Sequence, residues 1–156
     1  MSHADLVLFG RVGLAFVLCF AVGFERALRG APAGDRTFSL VGTAAAAVTA
    51  VTFGSAPQAI GGVVTGVGFI GAGLVLRGDR GMVRGMTSAA ALFAATGIGV
   101  VAGTGHAWLA LFVGLLTILD LELHHLPVLN RLDGHRYAGR MADVPDDDPP
   151  ADGTRL

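Results

Sequence analysis

The stretch that decides the fold is LVLFGRVGLAFVLCFAVGF, residues 6–24, in which Arg11 is the only charged residue. A helix of about 20 residues spans the roughly 30 Å hydrocarbon core of a bilayer, with about 17 residues as the lower limit. Four further apolar stretches of similar length follow, at residues 37–54, 58–76, 87–103 and 107–123. Because every backbone group must be paired inside lipid, helices are the expected spanning structure. We therefore predict an all-α fold, a polytopic bundle of about five transmembrane helices.

Composition agrees with this prediction. Of the 156 residues, 53% are hydrophobic and only 15% are charged, with a mean hydropathy of +0.64. Soluble domains carry about 25% charged residues. The low charge and high hydrophobic content make the lipid bilayer the expected surrounding. The net charge of −1 offers no field that would attract nucleic acid, and no nucleic-acid partner is predicted.

The arginines orient the predicted helices. Basic residues favour cytoplasmic loops, and the connections at residues 55–57 and 104–106 contain none. The arginines fall in the two other loops and in the tail: Arg26, Arg29, Arg36; Arg77, Arg80, Arg84; and Arg131, Arg136, Arg140, Arg155. We predict an outside N-terminus and a cytoplasmic C-terminus, with Trp108 at the outer interface.

Two parts of the chain differ in character. Residues 1–126 form the predicted transmembrane domain, and residues 127–156 form a polar cytoplasmic tail. The tail is rich in Asp and Pro from residue 143 onward and cannot bury a core, so residues 143–156 are predicted to be disordered.

A few charged residues are candidates for chemistry. If the first helix continues inward, Glu25 and Arg29 stand one turn apart and can pair. Arg11 and Asp120 lie inside predicted spans, where ionisable groups are costly and are functional candidates. Their depths differ by roughly 14 Å at 1.5 Å per residue, so a direct pair is not expected. Two simpler roles stay open: Arg11 can extend outward to water, and Asp120 can pair with an arginine of an inner loop.

The third stretch is rich in glycine. Gly66, Gly68 and Gly71 match a dinucleotide-binding pattern formally, but they lie in mid-span without the strand that such a site needs. Small residues instead allow close helix packing, as in Gly62–Gly66 and again in Gly99–Gly103. The alternative is that the glycines free backbone carbonyls to line a pathway. No catalytic set of residues is present, and we predict no enzymatic activity and no cofactor.

Three segments, in order, resemble the membrane domain of the MgtC/SapB family. They are residues 25–37 (ERALRGAPAGDRT), 66–73 (GVGFIGAG) and 83–90 (VRGMTSAA), and Arg11 also matches an arginine common in that family's first helix. The resemblance covers residues 6–126. Asp35 departs from it, because a hydrophobic residue is usual there. Many members add a soluble regulatory domain, whose function is not transferred to the short acidic tail.

The resemblance implies a multi-pass protein of the bacterial inner membrane, linked to magnesium homeostasis or acid-stress adaptation. It implies regulation of another membrane protein, such as the proton-translocating ATP synthase; a small oligomeric transporter or channel for magnesium or another cation is the alternative. A homo-oligomer is compatible with either, and no metal ligand is identified. The candidate functional residues are Arg11, Glu25, Arg26, Arg29, Arg36, Thr37, Gly66, Gly68, Gly71, Gly73, Arg84, Thr87 and Asp120.

Overall fold

Five α-helices account for most of the part of the chain that the computed structural model describes, residues 2–77 and 83–123. They are α1 (His3–Leu28), α2 (Asp35–Thr52), α3 (Gln58–Leu74), α4 (Met86–Gly103) and α5 (Ala107–Leu123). The five helices predicted from the apolar stretches are confirmed. Their ends shift by a few residues, and α1 is the most extended because no Gly or Pro interrupts it between Phe24 and Leu28.

Two very short strands join α3 to α4 and were not predicted. Strand β1 (Leu76–Arg77) pairs antiparallel with β2 (Val83–Arg84), with Leu76 opposite Arg84. Two residues are too few to show the alternation that indicates a strand in a sequence. The third predicted span, residues 58–76, was therefore two residues too long.

The start of α1 is fixed by a reciprocal cap. The Asp5 amide donates to Ser2 Oγ at 3.2 Å, and the Ser2 amide donates to Asp5 Oδ2 at 2.8 Å. These bonds satisfy donors that have no acceptor inside the helix, and Asp5 also suits the positive end of the helix dipole.

The core lies where α1, α2 and α4 meet, and glycine sets their spacing. Gly42 of α2 packs against the buried Cys19 of α1, where an added Cβ would overlap the sulfur. Gly99 of α4 packs against the Gly42 carbonyl, and a Cβ on Gly103 would lie 2.6 Å from the Ala46 carbonyl oxygen. The backbones therefore approach too closely for any larger residue. This confirms the predicted packing role of Gly99 and Gly103.

Two helices, His3–Leu28 and Met86–Gly103, are long and apolar enough to cross a bilayer, and the shorter α3 is also apolar. Met1–Leu121 forms one compact unit and Glu122–Leu156 another, of which only residues 122 and 123 are described. The predicted tail and its disorder lie outside the described residues, as do residues 78–82 of the α3–α4 loop. The domain boundary at residue 126 stays a prediction.

Candidate functional site

A charged cluster occupies the last turn of α1. The Glu25 side chain is only 9% exposed and lies between two guanidinium groups. Its Oε1 accepts a hydrogen bond from Arg29 Nε at 3.3 Å, and its Oε2 lies 3.6 Å from Arg26 Nη1. The predicted pairing of Glu25 with Arg29 is confirmed. Because the Arg29 side chain is 37% exposed, this contact contributes no more than about 1 kcal/mol.

The chain turns back sharply after this cluster. Gly30 adopts φ +64°, a left-handed conformation that ends the helix, and the Ala31 amide donates to the Arg26 carbonyl at 3.0 Å. The predicted break between α1 and α2 is confirmed. The returning loop reaches α2 at Gly34, and Asp35 then stands in the first turn of α2, where a carboxylate complements the helix dipole. This position explains how a charged residue is tolerated there.

A polar cavity of about 340 Å³ opens beside the cluster. It lies between the α1–α2 turn and the start of α4, so two loops distant in sequence form its walls. The lining residues are Arg26, Gly30, Pro32, Arg84, Gly85, Thr87 and Ser88. Arg26, Arg84 and Thr87, predicted from separate motifs, are thus brought together.

Gly85 holds the α4 side of this cavity in place. Its φ is +90°, and a Cβ there would overlap the carbonyl oxygen of Leu74 at the end of α3. Only glycine combines that backbone conformation with so close an approach. The first turn of α4 therefore has one fixed position against the end of α3.

A second cavity, of about 300 Å³ and mostly apolar, lies between α4 and α5. Asp120 and Thr117 line it from α5, and Thr87 and three alanines line it from α4. Thr87 is common to both cavities. No ion pair to Asp120 occurs among the described residues, so its predicted pairing with an inner-loop arginine is not observed there.

Arg11 lies at the opposite end of α4. Its Nη1 donates to the Gly103 carbonyl at 3.2 Å, and the guanidinium packs against Gly105, which has φ +93°. A cation beside a helix C-terminus satisfies an orphan carbonyl and the dipole. Arg11 therefore caps α4 rather than simply extending to water. No ion pair joins Arg11 to Asp120 among the described residues, as expected, and Arg11 lines neither cavity.

The glycines of α3 behave differently from those of the core. No described atom lies within 4 Å of a Cβ added at Gly62, Gly66, Gly68 or Gly73, and only Gly71 contacts another helix, at 3.7 Å from Ala89 Cβ. Gly62 and Gly66, which were predicted to allow close helix packing, therefore contact no other helix in the described part of the chain. We call the exposed surface of Gly62, Thr65, Gly66, Phe69 and Gly73 the α3 glycine face.

The remaining predicted residues, Arg36 and Thr37, lie in the first turn of α2. Arg36 is exposed and Thr37 is half-buried, and neither lines the two cavities described above. Sequence reasoning missed two close contacts: Gly42, and Gly23, whose added Cβ would lie 2.7 Å from Phe38 Cβ. An isolated glycine inside a helical pattern is the signal that could have found them.

Metal coordination is not favoured by this arrangement. The described residues contain no group of three or more His, Cys, Asp and Glu side chains close enough to hold an ion. Glu25 is already bound by arginines, and Asp120 is the single carboxylate among the described residues that line its cavity.

Apolar helices packed through glycine, with arginine-rich turns at one end, define an all-helical membrane protein. The chain belongs to the MgtC family, which matches residues 12–127. It is 38% identical over 128 residues to an Escherichia coli K12 protein named "Putative magnesium transporter YhiD". The aligned region covers 74% of this chain and 59% of YhiD.

Two other relatives are also similar. Protein SapB of Bacillus subtilis is 29% identical, over 80% of this chain and 58% of SapB. Protein MgtC of Salmonella typhimurium LT2 is 41% identical, over 58% of this chain and 41% of MgtC. The chain thus spans less than three-fifths of the length of these relatives. No solved structure matches.

Proposed function

We propose that this chain is a multi-pass, non-enzymatic protein of the bacterial inner membrane that serves magnesium homeostasis or acid-stress adaptation by contacting another membrane protein. The observation that carries the proposal is the α3 glycine face. The link to magnesium is supported by the name of the relative YhiD, and the partner is of the kind that the MgtC/SapB resemblance suggests, such as the proton-translocating ATP synthase.

The proposed topology has five spans, with the N-terminus outside. The arginines support it: the α1–α2 turn and β2 are basic, whereas the α2–α3 and α4–α5 turns contain no arginine. Basic loops favour the cytoplasmic side. The charged cluster and both cavity-lining arginines, Arg26 and Arg84, then lie at the inner surface.

The α3 glycine face supports docking because glycine gains little from contact with lipid. A lipid-facing helix normally carries large apolar side chains, whereas small residues in membranes concentrate where two backbones approach. Within this chain the same arrangement at Gly42, Gly99 and Gly103 is already filled by helices. The α3 glycine face would allow a helix to approach equally closely, and no described residue packs against its glycines. A transmembrane helix of a second protein fits this surface.

Site-specific photo-cross-linking in native membranes tests this proposal. A photoreactive phenylalanine analogue replaces Phe69, which is 84% exposed on the α3 glycine face. The matched control carries the analogue at Phe16, which is 48% exposed on α1. We expect an adduct with a different membrane protein from position 69 and none from position 16. Adducts with this chain alone, or no adduct, would contradict the proposal.

A pair of leucine variants separates docking from folding. Gly66→Leu would fill the α3 glycine face, and Gly13→Leu would add the same side chain to an exposed glycine of α1 that also has no described atom within 4 Å. We expect Gly66→Leu to abolish the adduct and growth in low magnesium, while Gly13→Leu retains both. Equal behaviour of the two variants would argue against docking through α3.

Cation transport is the second candidate function, and the cavity that Asp120 lines is the observation in its favour. Mg²⁺ binds through several oxygen ligands in octahedral geometry and keeps much of its water. A single carboxylate among alanines supplies few of them. We therefore expect no magnesium flux in reconstituted vesicles of verified orientation. Flux that Asp120→Asn abolishes would favour the transporter.

A further inference from the structure

We propose that the 340 Å³ cavity binds a phosphate-type oxyanion, from either a lipid headgroup or free inorganic phosphate. The cavity is walled by the turn after α1 and by the start of α4. Its polar side chains, those of Arg26, Arg84, Thr87 and Ser88, can all donate hydrogen bonds. The proposal does not depend on docking at α3.

The first donor is Arg26. Its Nε is buried and has no hydrogen-bond partner among the described residues, although the side chain lines the cavity. Its Nη1 lies 3.6 Å from Glu25 Oε2, beyond hydrogen-bond distance. A buried guanidinium N–H without an acceptor is costly. An oxyanion in the cavity would supply that acceptor.

The second donor is Arg84, on the opposite wall. Its backbone is held by the pairing of β2 with β1, and its exposed side chain reaches the same cavity. Guanidinium groups bind phosphate oxygens through paired N–H donors and keep their charge at any physiological pH. Two of them on facing walls favour an anion with several oxygens.

The third set of donors is the start of α4. The first bond into this helix runs from the Ala89 amide to the Gly85 carbonyl at 2.9 Å, and Gly85 provides no side-chain cap. The amides of Met86, Thr87 and Ser88 therefore have no acceptor inside the helix. Together with the helix dipole, they favour an anion. This end of α4 adds to the two arginines and does not carry the site alone.

The charge balance also favours an anion. Glu25 contacts Arg26 and Arg29 beside the cavity but does not line it. Of the residues that line the cavity, two are cationic, Arg26 and Arg84, and none carries a carboxylate. A metal cation would be repelled there. A carboxylate ligand has only two oxygens, whereas a phosphate group can reach both arginines and the helix start together.

The test uses the full chain in dodecyl maltoside micelles, which carry no phosphate group, titrated with inorganic phosphate by calorimetry. A parallel arm uses nanodiscs that contain phosphatidylglycerol and measures lipid retained by the protein through mass spectrometry. Binding in the first arm identifies free phosphate, and binding only in the second identifies a lipid headgroup; either supports the site. Absence of binding in both arms would overturn it.

Variants locate the binding. Arg26→Gln and Arg84→Gln should each weaken it by about tenfold or more, because each removes charge-assisted hydrogen bonds. Arg84→Lys keeps the charge but not the paired donors and should lose less. The matched control is Arg36→Gln, an exposed arginine of α2 outside the cavity, which should bind as the wild type does.

The thermal midpoint without ligand reports whether each variant is folded. Arg84 is exposed, so Arg84→Gln should fold even if Arg26→Gln does not. A folded Arg84→Gln that binds as tightly as Arg36→Gln would overturn the proposal.

Discussion

Gly42→Ala is a stringent test of how α1, α2 and α4 pack. An added Cβ would overlap Cys19 Sγ and lie 2.8 Å from Cys19 Cβ. Cys19 is fully buried, and its thiol donates to the Ala95 carbonyl at 3.3 Å, so it cannot move aside freely. Filling a packed core costs roughly 1–3 kcal/mol, and the overlap places this substitution at the upper end.

Helix propensity acts in the opposite direction. Alanine is favoured over glycine in a helix interior by about 1 kcal/mol. With a packing cost of about 3 kcal/mol, the expected net loss at Gly42 is ~2 kcal/mol, or roughly a thirtyfold change in the unfolding equilibrium. At Gly66 no described atom meets the new Cβ, so Gly66→Ala should stabilise the protein by about 0.5–1 kcal/mol.

The assay is unfolding in mixed micelles with increasing dodecyl sulfate, followed by helical circular dichroism. Gly42→Ala should unfold at lower detergent fraction than the wild type, and Gly66→Ala at a higher one. In the double variant Cys19→Ala/Gly42→Ala the sulfur is gone, so the loss should be smaller than the sum of the single losses. A Gly42→Ala protein as stable as the wild type, or an additive double variant, would refute the proposed close contact.

Three other substitutions should change stability in the same assay. Arg11→Met removes the cap on the Gly103 carbonyl and should lower the free energy of unfolding by about 1 kcal/mol. An unchanged midpoint would show that the cap does not stabilise the protein. Gly85→Ala forces a Cβ against the Leu74 carbonyl at a left-handed backbone position, so a loss of ~2 kcal/mol or failure to fold is expected, and a wild-type midpoint would contradict this contact. Glu25→Gln removes the carboxylate that contacts Arg26 and Arg29 and should cost about 1–2 kcal/mol at low salt, with a smaller loss at high salt; a salt-independent loss would point to packing instead.

Sequence patterns predicted the helices well because apolar length and glycine or proline breaks act locally. Residues 107–123 were predicted with the observed bounds of α5, and the turn at Gly30 was predicted from composition. The pairing of Glu25 with Arg29 followed from helical spacing alone. These features depend on neighbours within a few residues.

The tertiary role of each glycine could not be predicted in the same way. Gly62–Gly66 and Gly99–Gly103 have the same spacing, yet only the second pair packs against α2. The spacing of two glycines shows that a close approach is possible, but it does not identify the helix that packs against them. The cap by Arg11 was missed for the same reason, because the Gly103 carbonyl is 92 residues away.

The site was predicted only as separate motifs. Arg26 and Arg84 belong to different loops, and their meeting around one cavity depends on how α1 and α4 pack. Pro32 and Ser88 fell within the matched motifs but not among the candidate functional residues, because nothing in the sequence shows that they line one cavity with Arg26 and Arg84.

Some glycines pack against another helix and others have no described neighbour, and this difference has a practical consequence for a mutational scan. If each variant is scored both for the amount of protein in the membrane and for growth in low magnesium, substitutions at Gly42, Gly99 and Gly103 should lower both scores together. Substitutions at Gly66 and Gly73 should leave abundance intact and lower growth alone. One residue type would then divide into two classes, one that the cell loses to quality control and one that it keeps as an inactive protein.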